Sequence, residues 1–449
     1  MNIEQIYDKS LAHGSYAIES DGKVAVVDPG RDIKPYVDFA EKHNGKIVAV
    51  FETHPHADFA SSHIEFKEKF GATIYVNPKV GVSYEFTPME HNEEVKLGKA
   101  TVRALFTPGH SPDHNSYLLL DENGEEKAVF TGDSLFVGDV GRPDLREGVG
   151  NIQVNRKELA GMMYNTIHNI FADLNDDVLV YPAHGAGSLC GKNMSDDLYS
   201  TIGREKETNW AFQLTEEPKF IESYLEGQSF IPKYFPFDVD LNRKGAEPLE
   251  QAISKVPRLD STDNLEEGVM IIDTRDQEDF KKSHVAGALN IMSKEDDKFE
   301  TWLGAIVDPG EKFYLVSGDK DSLEWDIRRA AKIGYEGHIK GAVVFSGGQA
   351  HTDNIDLNDF KENPEDYTIV DIRNKSEVAD GKIFESAINI PLPELRERAG
   401  EVPTDKPVVV HCAGGYRSAA GSSILEKKLG NVKVFDLSEA VKTFQEQEA

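Results

Sequence analysis

Thr53-His54-Pro55-His56-Ala57-Asp58 closes the apolar run Lys46-Ile47-Val48-Ala49-Val50-Phe51, and the reading of that hexapeptide decides the fold of the first half of the chain. An isolated His-x-His is common at surfaces and in cores and means little. Here three more strand-like apolar runs end in ligand-type residues: Thr107-Pro108-Gly109-His110, Thr131-Gly132-Asp133-Ser134 and Pro182-Ala183-His184-Gly185. Loops at strand ends are where α/β proteins keep their chemistry. Four clusters in this order point to one shared metal site, not to scattered histidines.

Working outward, strand-like runs and helical stretches alternate up to about residue 240, as in Val24-Ala25-Val26-Val27 and Val178-Leu179-Val180-Tyr181. The Pro-rich, aromatic segment Phe230-Ile231-Pro232-Lys233-Tyr234-Phe235-Pro236 then breaks the pattern and reads as a linker. Beyond it the chain repeats itself. Val269-Met270-Ile271-Ile272-Asp273-Thr274-Arg275 and Ala288-Leu289-Asn290-Ile291 return as Thr368-Ile369-Val370-Asp371-Ile372-Arg373 and Ala387-Ile388-Asn389-Ile390-Pro391. The period is about 100 residues, the size of a small α/β domain.

The two copies differ in one loop. The second delivers Val408-Val409-Val410-His411-Cys412-Ala413-Gly414-Gly415-Tyr416-Arg417-Ser418, an apolar strand leading a cysteine into a Gly-rich turn at a helix start. Successive N–H groups in such a turn make an anion-binding nest, and the helix N-terminus adds positive potential. Both favour a thiolate, as does the cation Arg417. The first copy has Ser317-Gly318-Asp319-Lys320-Asp321 at this place and no cysteine anywhere, so it should be catalytically silent.

Composition narrows the classes. The 449 residues carry 49 basic and 79 acidic side chains, a formal charge of −30, which argues against nucleic acid or an anionic membrane as partner. Two cysteines, Cys190 and Cys412, are too few for a disulfide framework and fit a reducing compartment. Met1 to Tyr16 lacks the apolar core of a signal peptide, and no run approaches the ~18 apolar residues of a membrane span. The expectation is a cytoplasmic multidomain chain.

The four ligand loops resemble the metallo-β-lactamase fold, an αββα sandwich with its metal at one rim of the sheets. Cys-x-x-Gly-x-Arg-Ser after a strand, with Asp-x-Arg and Ala-x-Asn-Ile, resembles the rhodaneses, which carry sulfur as a cysteine persulfide. The resemblance implies an α/β multidomain chain: a metallo-β-lactamase-like domain over residues 1–240, an inactive rhodanese-like domain over 256–350 and an active rhodanese domain over 356–449. The second copy departs from its family at Lys382, where Gly-His-Ile is usual, and at Ser438-Glu439, where a Gly pair is customary.

Zinc hydrolases of the first fold usually read Thr-His-x-His-x-Asp-His, and here the last position is Phe59. That removes a ligand of the second metal, although His56, Asp58 and His184 could still contribute to a second site, and it leaves intact His54, His110 and Asp133, two histidines and a carboxylate, the set that suits non-haem Fe(II). Glu52-Thr53-His54-Pro55-His56-Ala57-Asp58-Phe59-Ala60-Ser61 and Gly138-Asp139-Val140-Gly141-Arg142-Pro143-Asp144 resemble persulfide dioxygenases fused to rhodanese domains. That resemblance implies one Fe(II) per chain on His54, His110 and Asp133, with zinc as a substitute. His56, Asp58 and His184 become groups that orient ligands and substrate. The implied partners are a small thiol persulfide, O2 and sulfite or thiosulfate, in a homo-oligomer. Cys412 is then the persulfide carrier, with Arg417, Gly414 and Gly415 around its sulfur. Arg142 is either a grip for an anionic group of the thiol carrier or one half of a salt bridge to Asp139 or Asp144. Cys190, shortly after the His184 loop, is a candidate redox thiol or a small buried hydrophobe. The alternative is a zinc-dependent thioester hydrolase like glyoxalase II with a rhodanese module; a third class is a sensing protein in which Cys412 only signals.

Overall fold

The computed structural model describes residues 1–146, 154–228 and 230–445; the last four residues of the range 356–449 lie outside these. The chain divides into two compact units, residues 1–251 with 332–334, and residues 252–331 with 335–449. Among the described residues no helix is long and apolar enough to cross a membrane.

In the first unit, side chains alternate across two six-stranded sheets, as the two-residue period of a strand requires. One sheet runs Asn2–Asp8, His13–Ser20, Lys23–Val27, Lys46–Phe51, Thr73–Val76, Thr87–Pro88; the other runs Ser200–Thr201, Leu179–Pro182, Glu126–Gly132, Asn115–Leu120, Ala100–Phe106, Glu94–Leu97. Tyr16, Ile18 and Phe51 meet Tyr117, Leu119 and Phe130 in a core between the sheets. The alternate residues face outward. Ala17 and Val50 pack on Tyr36, Phe39 and Phe66 of the helices Lys34–Lys42 and His63–Phe70. Leu118, Leu120 and Val129 pack on Ala160, Met163 and Phe220 of Arg156–Asn165 and Glu217–Leu225. The result is four layers, helix, sheet, sheet, helix.

The same topology gathers the ligand loops. Glu126–Gly132 pairs in parallel with Leu179–Pro182, and both Glu126–Gly132 and Ala100–Phe106 pair antiparallel with Asn115–Leu120. Ala100–Phe106, Glu126–Gly132 and Leu179–Pro182 therefore run in one direction and end at one edge, where His110, Asp133 and His184 follow. Gly132 is in register with Pro182. It takes a φ of +52°, and a Cβ there would collide with Thr53 and His114, so the turn that presents Asp133 needs glycine.

The linker reading of Phe230–Pro236 is corrected by the structure. Tyr234 and Phe235 are buried, and Phe235 opens the helix Phe235–Lys244 within the first unit. Two aromatic rings that find a core are worth more than the break signalled by the prolines, and Pro236 at the start of a helix has no N–H to leave unpaired.

In the second unit the repeat is geometric. The first copy orders its parallel strands Arg258–Leu259, Ile339–Val344, Phe313–Ser317, Met270–Asp273, Leu289–Asn290; the second orders Val434–Asp436, Val408–His411, Thr368–Asp371, Ile388–Asn389. Apart from the additional edge strand of the first copy, the order is the same. The shared landmarks make the same bonds. Arg275 and Arg373 each fork onto the aspartate two residues before, Asp273 and Asp371, with a closest distance of 2.7 Å. Asn290 and Asn389 each donate to the carbonyls of that aspartate and that arginine, at 2.9 to 3.0 Å.

Candidate metal centre and cysteine loop

The strand-end loops bring His54, His110 and Asp133 together so that one donor atom of each lies within 4.8 Å of the others, all buried. Their second atoms fix how the donors point. His110 Nδ1 lies 2.7 Å from the Arg142 carbonyl, which can only accept, so the proton is on Nδ1 and Nε2 faces Asp133 Oδ2 at 3.5 Å. Thr53 Oγ1 donates to Asp28 and so accepts from His54 Nδ1 at 3.0 Å. The Asp133 N–H donates to His114 Nε2 at 3.1 Å. Burial keeps His114 well below the usual histidine range, which leaves that nitrogen a lone pair.

Two further groupings share this edge: His56 with Asp133 and His184, and Asp58 with His184 and Cys190. His184 Nδ1 is 3.2 Å from the Ala12 carbonyl, and Nε2 faces Asp58 at 3.4 Å and Asp133 at 3.5 Å. Burial opposes charge on His184, but Asp133 and Asp58 outweigh it and hold its pKa well above the ordinary value. Burial likewise opposes charge on Asp58, and His184 brings it to about 2. Cys190 is buried, and burial, followed by the charges of Asp58 and Asp133, pushes its thiol up to about 12.

Phe59 fills the space beside these donors. Its ring lies 3.8 Å from that of His13 and 4.5 Å from that of His56, between centroids. Both carboxylate oxygens of Asp133, Oδ1 of Asp58, Nε2 of His184 and both ring nitrogens of His56 are buried and find no hydrogen-bond partner among the described residues. Each such atom costs about 1–3 kcal/mol if left so. A cluster of buried carboxylate oxygens and imidazole nitrogens is relieved by a cation, so the residues fit a metal.

Two supporting residues lie outside the four ligand loops. Asp28 is held at a φ of +47° and accepts from the Thr53 N–H at 2.7 Å and the Thr53 hydroxyl at 2.8 Å, with His56 Nε2 at 3.3 Å. Asn242, in the segment after the supposed linker, donates to the carbonyls of His56 (2.8 Å) and Phe59 (2.7 Å) and accepts from the Ser61 N–H (2.8 Å). One buried amide thus clamps the whole first ligand loop. Asp28 follows a strand and precedes Pro29-Gly30, a signal that was available; Asn242 had none.

Of the two readings of Arg142, the structure displays the salt bridge. The guanidinium is 1% exposed and forks onto Asp144, with both bonds at 2.7 Å. Asp139 is engaged elsewhere, accepting from Trp210 Nε1 and the Lys192 and Asn193 N–H groups.

In the second unit Cys412 follows the strand Val408–His411, and four residues, Cys412–Gly415, lead into the helix Tyr416–Leu429. Gly415 takes a φ of +101°, and its N–H points at Cys412 Sγ, 3.1 Å away. Arg417 forks onto Glu377 at 2.6 Å, so its charge reaches the loop as half of an ion pair. The first copy lacks length as well as sulfur. Only Gly318 and Asp319 separate its strand Phe313–Ser317 from the helix Lys320–Lys332, and the Ser317 hydroxyl is spent on Asp326.

The profile of the Metallo-beta-lactamase superfamily matches residues 11–184, and that of the Rhodanese-like domain matches 260–349 and 356–447. Over 224 residues the chain is 30% identical to a hydroxyacylglutathione hydrolase of Dictyostelium discoideum, an alignment covering 46% of this chain and 77% of that one. A metallo-beta-lactamase of Staphylococcus aureus subsp. aureus COL, solved by crystallography, is 31% identical with a TM-score of 0.68 and covers 77% of this chain and 99% of that one. ETHE1 from Myxococcus xanthus is 26% identical, covering 54% of this chain and 98% of its own, with a TM-score of 0.47. Matches to both profiles, on sheets in the order described, make this chain a member of the metallo-beta-lactamase superfamily whose N-terminal domain is followed by two rhodanese-like domains.

Proposed function

We propose that the chain oxidises small-molecule thiol persulfides and transfers sulfane sulfur, with Fe(II) held by His54, His110 and Asp133 and sulfur carried on Cys412. The observation that carries the first half is the donor set itself. Two histidines and one carboxylate converge, and the position that would hold another metal-binding histidine is the ring of Phe59, stacked between His13 and His56. When bound there, Fe(II) would supply the means for O2, with one water, to take the outer sulfur of a persulfide to sulfite and release the thiol. The protein's part is placement. His184 and Asp58, 3.4 Å apart, orient the incoming persulfide; Phe59 and His13 close that side to water. Thr53, held by Asp28, fixes the ring that carries the first donor, and Asn242 holds the backbone of the same loop.

At Cys412 the transfer is a displacement. Sulfite attacks the outer sulfur of the cysteine persulfide, a sulfur–sulfur bond forms to give thiosulfate, and the bond to Sγ breaks. The electron pair stays on Sγ, where the Gly415 N–H receives it. The carboxylate and histidine grouping of His56, Asp133 and His184, together with the hydroxyacylglutathione hydrolases among the relatives, favours a second reading, thioester hydrolysis at zinc. Metal analysis with an oxygen electrode separates them. Iron with persulfide-dependent O2 uptake is expected; zinc with cleavage of a glutathione thioester and no O2 uptake would replace the first reading by the second.

A further inference from the structure

The thiol-less copy bonds to the turn that packs on the cysteine loop of the other copy. Ser438, which stands where rhodaneses customarily have glycine, takes a φ of +51°, a left-handed conformation that disfavours residues with a Cβ. Something must hold it there. Its N–H donates to Asp436 Oδ1 at 2.8 Å, and its hydroxyl also bonds to the Asp436 carboxylate. The remaining support comes from the silent copy. Lys281, on the helix Gln277–Lys282, donates to Ser438 Oγ at 2.7 Å and lies 3.1 Å from Asp436 Oδ2. Its side chain is 9% exposed, and its other ion pair is to the exposed Glu278 at 3.4 Å. Gln277 Oε1 is 3.2 Å from the same hydroxyl.

That turn is pressed against the cysteine loop. A Cβ on Gly415 would lie 2.7 Å from the Ser438 carbonyl carbon and from the Glu439 nitrogen. The Gly415 N–H in turn donates to Cys412 Sγ. A shift of Ser438 is therefore transmitted to the N–H that meets the sulfur. We infer that Lys281 is a positioning residue for the Cys412 loop, so that the copy without a thiol forms part of the sulfur-transfer site of its neighbour. This rests on the reading of Cys412 as sulfur carrier.

The test is thiosulfate-to-cyanide sulfur transfer by the full chain, with the Cys412 persulfide yield followed by mass spectrometry. Lys281→Met is expected to lower kcat about tenfold, the effect of one lost charge-assisted hydrogen bond, with KM little changed. Lys281→Arg should recover most of the rate. The decisive variant is Lys281→Met with Ser438→Gly: glycine adopts the left-handed turn unaided, so the second change should restore what the first removed. A lysine that merely staples the two copies would show no such rescue. Wild-type kcat in Lys281→Met, or a defect that Ser438→Gly leaves untouched, would overturn the inference. Should Lys281→Met not fold, Ser438→Ala keeps the Lys281–Asp436 pair and loses only the hydroxyl; a smaller drop in kcat is expected, and an unchanged rate overturns the inference equally. Absence of transfer from the unmodified chain would sink the Cys412 reading itself, and this one with it.

Discussion

The two candidate centres are built in opposite ways. The metal centre takes one side chain from each of several strand-end loops and depends on residues distant in sequence, Asp28 and Asn242, to aim them. The cysteine loop is a single run of chain whose backbone supplies the N–H that faces the sulfur. A convergent side-chain site fails when any one donor is lost, and it tolerates little movement of its supports. A backbone site loses its chemistry with its one reactive atom but keeps its shape. The first copy is the control: it has the strands, the aspartate–arginine fork and the asparagine bonds, but a two-residue loop with no thiol.

The largest effect expected from this contrast is at Cys412. Cys412→Ser keeps Gly415 and Arg417 in place and removes the only thiol of this loop, so thiosulfate-to-cyanide transfer should fall to background. Persulfide-dependent O2 uptake should persist, with sulfite released in place of thiosulfate, as product chromatography would show. Loss of O2 uptake in this variant would mean that Cys412 feeds the metal centre. Asp133→Ala should do the converse. It removes a carboxylate common to two of the three donor groupings, and metal content measured by elemental analysis should drop together with O2 uptake, by more than ~100-fold in activity, leaving transfer at Cys412 intact. A variant with full metal occupancy would show that the donor assignment is wrong.

The contrast also explains what could be read from sequence. The cysteine loop was legible because strand, thiol, glycines and helix are contiguous. The four ligand loops were legible because each ends an apolar run. The division of Tyr117 and Leu119 from Leu118 and Leu120 between the two cores was not, because all four are apolar and the run carries no alternation of its own. What was hidden is whatever acts across the fold. Asn242 lies beyond a proline-rich segment whose local signals said linker, and only its tertiary position reveals that it binds His56 and Phe59. Arg142 showed two possible partners, Asp139 and Asp144, and the choice of Asp144 follows from distant contacts, since Trp210 and the Lys192 and Asn193 N–H groups occupy Asp139.

Asn242 sharpens the comparison at an intermediate scale. Asn242→Ala leaves the His56 and Phe59 carbonyls and the Ser61 N–H without this partner in a buried place, at about 1–3 kcal/mol for an unsatisfied group. Because the clamp holds the first ligand loop, metal affinity should fall by about 10–100-fold, measured by chelator competition, while the melting temperature of the second unit stays unchanged. Equal metal affinity in the variant would reduce Asn242 to a stabilising residue.

The smallest expected effect concerns acid and the second unit. In the first copy, burial first and then the charge of Lys312 lower His338 to about 4, against an ordinary value of 6.5. Between these values the unfolded chain takes up a proton that the folded copy refuses. Stability from this residue is thus complete above pH 6.5 and declines as the pH falls toward about 4, by at most ~1.4 kcal/mol per pH unit. In the second copy, burial lowers His411 as well, against the opposing pull of Asp371, so its contribution has the same sign. His338→Gln should therefore reduce the loss of melting temperature between pH 6.5 and 4.5 without abolishing it, the remainder coming in part from His411 beneath the cysteine. Scanning calorimetry of the full chain across that range measures the slope. An unchanged slope in His338→Gln would mean that His338 opens to solvent before the copy unfolds, and that the acid sensitivity of this unit belongs to the copy that carries the thiol.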